Sequence, residues 1–255
     1  MIWQISVLAC LGVLGGVLSG MVGVGGGIIF VPALIYVAGW NIEEAAAASF
    51  VVIFFATLSS ILRNTSGESP VDRRAAALLS AAIVPSSLIG VAINRIVPGA
   101  VVKIAFAVLL LALAYPIAAR GQEHSEHTPA QAKLHPALVL LAGVGIGALS
   151  GLAGAGGGVV IVPLLVLGLG LRLKAAVATS LVVVLFTSVA SAVGYVATGF
   201  HQFSILVPLV VGAVLGAWFG VRLRDRTPDA PLQIGFALFM VIVASQFFID
   251  ATNIL

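Results

Sequence analysis

Residues 19–32 read SGMVGVGGGIIFVP and residues 150–163 read SGLAGAGGGVVIVP, so one glycine-rich cassette stands twice, 131 positions apart, with eight of fourteen residues identical. Each copy interrupts an apolar stretch with a glycine run that a stable helix does not select, because glycine costs a helix interior about 1 kcal/mol relative to alanine. The surroundings are hydrocarbon, since 61% of residues are hydrophobic, 8% are charged and mean hydropathy is +1.21. In lipid, non-helical backbone persists only where protein buries it or where it lines a cavity. The chain is therefore read as an all-α polytopic membrane protein whose two helix breaks form its working centre.

A sequence pI near 9.4 invites comparison with nucleic-acid binders. The twelve Lys and Arg, however, are scattered between apolar stretches, where orientation in a bilayer accounts for them and no nucleic-acid partner is implied. The single cysteine, Cys10, excludes an internal disulfide and a cysteine metal cluster, and reads as a small apolar helix residue. VLAC at residues 7–10 faintly resembles a lipoprotein cleavage box, but no basic segment precedes it, so the N-terminus is expected to be uncleaved.

Apolar stretches fall at residues 2–18, 28–39, 43–62, 75–94 and 99–119, and again at 137–149, 159–170, 175–198, 203–221 and 230–249. The duplication extends beyond the glycines. Ser49, Val51, Val52 and Ser60 recur as Ser180, Val182, Val183 and Ser191, and Pro98, Ile104 and Phe106 recur as Pro228, Ile234 and Phe236. An ordered set of Ser, Pro and Phe at nearly constant spacing marks an internal repeat. Residues 1–119 form the first transmembrane repeat, 120–136 (RGQEHSEHTPAQAKLHP) a polar linker in water, and 137–255 the second repeat.

Charge decides the sense of the repeats. If each break lies within one crossing, Lys and Arg divide five against seven; if each break is the tip of a hairpin that enters and leaves on one side, they divide ten against two, with only Arg95 and Lys103 on the minority side. The second division obeys the positive-inside rule. It predicts a second repeat inverted relative to the first, a cytoplasmic linker and both termini outside. Segments 28–39, 137–149 and 159–170 hold 12 to 13 residues, too few for a crossing of about 20. The expected architecture is six full crossings plus two glycine-rich re-entrant hairpins, about 8–10 membrane segments in all, with the tips meeting near the midplane. Whether residues 2–18 cross fully or form half of a hairpin stays open.

Gly23, Gly25, Gly26 and Gly27, with Gly154, Gly156, Gly157 and Gly158, lead into short helices at Ile28 and Val159. Helix N-termini carry unpaired N–H groups and the positive end of the dipole, so two of them facing one another suit an anion without any buried Lys or Arg. Ser19 and Ser150, at the mouths of the tips, would add hydroxyl donors. The plainer reading is close helix packing, which is assigned to Gly12, Gly15, Gly16, Gly143, Gly145 and Gly147. Three consecutive glycines unwind a helix, which tight packing alone does not require. Pro32 and Pro163 are expected to be structural.

The third segment of each half carries hydroxyls: Ser49, Thr57 and Ser60, then Thr179, Ser180, Thr187, Ser188 and Ser191. Bonding back to the preceding turn is their ordinary fate, with lining of a solute path as the alternative. No Asp or Glu lies inside a proposed span, so a buried carboxylate proton relay is not expected. His124 and His127 fall in the linker and read as solvated rather than metal-binding, and neither a cofactor nor a metal site is expected. GVGGG lacks the Lys and Ser or Thr of a phosphate-binding loop.

The paired GxGGGxxxVP cassettes, each followed by a small-residue helix (AAAASFVV at 45–52, AAVATSLVV at 175–183), resemble the sulfite exporter TauE/SafE family. The resemblance covers nearly the whole chain and implies a secondary carrier of the bacterial inner membrane. Its solute would be a small sulfur anion or organosulfonate, such as sulfite, sulfoacetate or thiosulfate. Sodium or protons are the expected coupling ions. Solute identity, direction and oligomeric state are not implied. An uncoupled anion facilitator, and a membrane scaffold in which the glycines serve packing alone, are the rival readings; an intramembrane enzyme finds no acid, base or nucleophile pair.

Overall fold

The computed structural model describes residues 2–40, 42–64, 70–93, 96–97, 99–120, 136–154, 156–197 and 206–252. The described residues form ten helices: α1 (Ile2–Val22), α2 (Gly27–Ala38), α3 (Ile42–Asn64), α4 (Arg73–Ile93), α5 (Gly99–Arg120), α6 (Pro136–Ala153), α7 (Gly158–Pro163), α8 (Leu173–Ala197), α9 (Leu206–Arg226) and α10 (Asp229–Thr252). The helix of α7 continues as a π-helix over Leu164–Gly168. Six helices, α1, α3, α4, α8, α9 and α10, have described stretches long and apolar enough to cross a bilayer. The chain is a multi-pass membrane protein. Large apolar side chains such as Leu14, Phe186, Val207 and Leu238 face outward, as lipid requires, while Phe30, Phe50, Ile53, Leu79 and Ile83 are buried.

The expected segments appear with shifted ends. α1 runs on to Val22, long enough to cross, and α6 to Ala153. Ser19–Gly20 and Ser150–Gly151 look like breaks in an apolar pattern, yet small residues are what a close helix neighbour needs. Where the chain does stop a helix, the cause is local. The Asp72 carboxylate accepts from the amides of Arg74 and Ala75 at 3.0 Å each and so caps α4. Gly39, at φ 73°, closes α2 by donating its amide to the Leu34 carbonyl.

α1 and α2 form an antiparallel hairpin. Gln4 Nε2 lies 3.5 Å from the Val37 carbonyl at one end, and Gly15 packs on the Phe30 ring at the other. The helix pairs then cross between halves: α1 lies along α9, α6 along α4, α3 along α8 and α5 along α10. Exchanging each element for its repeat equivalent returns the same set of pairs.

Glycine stripes carry the closest of these seams. A Cβ added at Gly12, Gly16 or Gly20 would overlap the carbonyls of Leu209, Ala213 and Ala217 in turn, and one at Gly212, Gly216 or Gly220 would overlap those of Ala9, Val13 and Val17. The rising numbers on both sides make α1 and α9 parallel neighbours, each with a glycine every fourth residue. α4 and α6 meet the same way, with Gly90 on Ala148 and Gly151 on Ser87. Without a hydrophobic drive between helices in lipid, such backbone approach supplies the dispersion contacts that hold them. Gly145 departs from the packing role assigned to it, since a Cβ there would meet nothing within 4 Å.

Candidate solute site at the paired glycine tips

Each tip is built by the same steps. The Gly23 amide closes α1 on the Ser19 carbonyl at 2.8 Å, and the Gly154 amide closes α6 on Ser150 at 3.1 Å. The chain then reverses through glycines with positive φ and enters the return helix at Gly26 (φ 78°) and Gly157 (φ 70°). A left-handed residue immediately ahead of a helix excludes almost every side chain but hydrogen. The first intrahelical bonds are donated to the Gly26 carbonyl by Ile29 and Phe30 (2.9 and 3.1 Å), and to Gly157 by Val160 and Ile161 (3.0 and 3.1 Å). The amides of Gly27 and Ile28, and of Gly158 and Val159, precede the ladder, and neither N-cap has a side-chain cap bond.

The tips approach one another. A Cβ added to Gly158 would sit 2.7 Å from the Cα of Val24, and one on Gly25 would crowd Val184 at 2.9 Å and Ile53 at 3.0 Å. Gly156 faces the same two side chains, with Ile53 at 3.1 Å and Val184 at 3.7 Å. Gly25 and Gly156 are repeat equivalents, as are Ile53 and Val184, so this four-residue contact lies where the two halves are related.

Ser19 and Ser150 are fully buried, and neither hydroxyl has a hydrogen-bond partner among the described residues. A Cβ on Gly157 would lie 3.1 Å from Ser150 Oγ, which places that hydroxyl against the opening of the return helix. A buried hydroxyl left unpaired costs about 1–3 kcal/mol. Here the cost is incurred twice, at equivalent places.

The other hydroxyls are engaged. Ser49 Oγ lies 2.7 Å from the Ala46 carbonyl and 2.8 Å from that of Gly154; Ser180 Oγ lies 2.9 Å from Val177 and 3.0 Å from Gly23. Thr57, Ser60, Thr187 and Ser188 bond back to Ile53, Ala56, Val183 and Leu185. Thr179 accepts from the Asp72 amide at 3.0 Å, and Ser191 meets Ser87 at 3.4 Å. Thus the hydroxyls of Ser49 and Ser180 hydrogen-bond to the tips, and they do so across the repeat boundary. Nothing in the one-dimensional pattern distinguished them, because the partner carbonyls are 105 and 157 residues away.

Contacts gather the ends of α3, α8, α9 and α10 on one side of the molecule: Arg224 donates to Asn64, Arg172 pairs with Asp229 at 3.1 Å, and Lys174 reaches Asp229 at 3.7 Å. That side carries Arg63, Arg172, Lys174, Arg222, Arg224 and Arg226. The linker histidines, His201 and Arg95 lie outside the described residues. Of the tryptophans, Trp40 is buried and Trp3 is 69% exposed.

The family model described as Sulfite exporter TauE/SafE matches residues 8–247. The chain is 23% identical to the probable membrane transporter protein YunE of Bacillus subtilis, over 94% of this chain and 96% of that one. It is 27% identical to a probable membrane transporter protein of Haemophilus influenzae, over 95% and 98%. Over 48% of its length it is 32% identical to Sulfite exporter TauE/SafE family protein 3 of Arabidopsis thaliana, covering 27% of that protein. No solved structure matches. Two glycine cassettes in a duplicated helical membrane chain, and a family match over nearly its whole length, lead to one conclusion: the chain belongs to the sulfite exporter TauE/SafE family of membrane transporters.

Proposed function

We propose that this protein is a secondary carrier of a small sulfur oxyanion or organosulfonate across the bacterial inner membrane, with the two glycine tips as its clamp. The observation that carries the reading is the pair of buried, unpartnered hydroxyls of Ser19 and Ser150, at equivalent places in the two cassettes, with that of Ser150 beside the start of its short helix. Hydroxyl donors and helix N-termini together offer an oxyanion several hydrogen bonds and the positive dipole end, with no cation buried at the centre. The basic side of the molecule then faces the cytoplasm and the two repeats insert in opposite senses. The antiparallel α1–α2 hairpin and the exchange of helix partners between halves support that arrangement.

Alternating access follows if the tips and the helices that hold them move against the rest. Coupling to sodium or protons belongs to the same proposal; the described acidic side chains Glu44, Asp72, Asp225 and Asp229 stand at helix ends, so backbone carbonyls and hydroxyls are the groups available deeper in. The scaffold reading has one observation in its favour, because Gly25, Gly156 and Gly158 are also close-packed.

The two readings separate by thermal stabilisation of the purified protein against sulfite, thiosulfate, sulfate, sulfoacetate, taurine and simple carboxylates. A ligand at 100 times its dissociation constant adds about 2.7 kcal/mol. A selective shift with one sulfur anion, reduced in Ser150→Ala, is expected. Indifference to every anion at concentrations well above millimolar would leave packing as the role of the tips.

A further inference from the structure

The last turn of α9 buries an arginine that the tips do not use. Arg224 has no exposed surface. Its Nε and Nη2 donate to one oxygen of Asp225, at 3.2 and 3.1 Å, and Nη2 also donates to Asn64 Oδ1 at the end of α3. Nη1 has no partner. A guanidinium presents five N–H groups in a planar fork, so the two on Nη1 stand idle where water does not reach them.

A structural role does not account for that idle edge. Nη2 already ties α9 to α3 through Asn64, and Ser59 Oγ donates to the Val214 carbonyl at 2.9 Å further along the same seam. Burying a charge is costly, and leaving donors unmet adds to the cost. The neighbourhood also carries further cations. Arg63 lies over the Trp218 ring at 5.5 Å with its own Nε unpartnered, and Lys174 Nζ lies 3.3 Å from the Asp225 carbonyl oxygen.

We propose that Arg224 is a second anion station, at the basic end of the α3–α9 seam. When the ends of α3 and α9 part, the Nη1 edge takes an oxygen of a small oxyanion, while Asp225 and Asn64 hold the guanidinium between visits. The purpose of the station rests on the carrier reading; its anion chemistry does not. Arginine suits the task because the planar fork can bind an oxyanion while keeping its carboxylate partner, which a lysine ammonium does less well.

The test is co-crystallisation of the full chain with selenate, reading selenium anomalous density at Arg224 and at the tips separately. Density within hydrogen-bonding distance of Nη1 is expected, absent in Arg224→Gln and stronger in Asp225→Asn, where the competing carboxylate charge is gone. In proteoliposomes, Arg224→Gln should raise the half-saturating sulfite concentration at the basic face about tenfold or more, the size of a lost charge-assisted hydrogen bond, and leave the opposite face unchanged. Absence of selenate at Nη1 in both the unmodified protein and Asp225→Asn overturns the station whatever happens at the tips. Density at Nη1 with empty tips keeps the station and overturns the clamp.

Discussion

The hydroxyl of Ser49, on the third helix of the first repeat, lies 2.8 Å from the carbonyl oxygen of Gly154 in the tip of the second. Ser180 does the same for Gly23 at 3.0 Å. Each tip is therefore held from the other half. Ser49→Ala and Ser180→Ala should each destabilise the protein by about 0.5–1.5 kcal/mol, the net worth of a hydrogen bond. Unfolding in a denaturing detergent series checks this, and an unchanged midpoint in both would mean that the hydroxyls serve only their own helices.

Ser19→Ala and Ser150→Ala should behave in the opposite way. Removing a buried hydroxyl that bonds to nothing is neutral or slightly stabilising, so the midpoint stays within about 0.5 kcal/mol or rises. Sulfite-dependent stabilisation should weaken by about tenfold in apparent affinity for each lost donor. A stability loss of 1 kcal/mol or more would place these hydroxyls in the folded network.

Glycine substitutions at the tips are poorer probes of binding. At Gly157 a side chain meets both positive φ and Ser150 at 3.1 Å, so Gly157→Ala combines backbone strain with any change in affinity. The glycine seams offer a cleaner contrast. Gly216→Ala should cost about 1–3 kcal/mol by forcing α9 away from Val13 of α1, while Gly145→Ala, facing open space, should be neutral or gain up to about 1 kcal/mol from helix propensity. Equal effects at the two sites, read by thermal unfolding, would contradict the packing assigned here.

The proposed orientation makes a labelling prediction. In a Cys10→Ala background, cysteines at Arg172 and Arg226, both exposed at the basic side, should react with an impermeant maleimide from the cytoplasm. One at Gln4, beside Val37 at the opposite end of the first hairpin, should react from outside. Reversal of either pattern removes the inverted arrangement.

Much of this was legible in the primary structure because its signals are local. Apolar runs place all ten segments, and three glycines in a row mark each break whatever surrounds it. The ends of α1 and α6 were less legible, since Gly20 and Gly151 read as stops until α9 and α4 lie against them. Ser49 and Ser60 share a helix face and look alike in sequence, yet only Ser49 meets a tip. Arg224 reads as one more basic residue at a membrane boundary, and its partner Asn64 is 160 residues away in sequence.

The exchange of partners between halves also bears on how the protein is made. α1 finds its groove on α9, whose first glycine, Gly212, is synthesised about 200 residues after Gly12. At typical elongation rates that interval is roughly 10–40 s. Throughout it the first helix sits in the bilayer with a bare glycine face, a substrate for insertion chaperones or for membrane proteases.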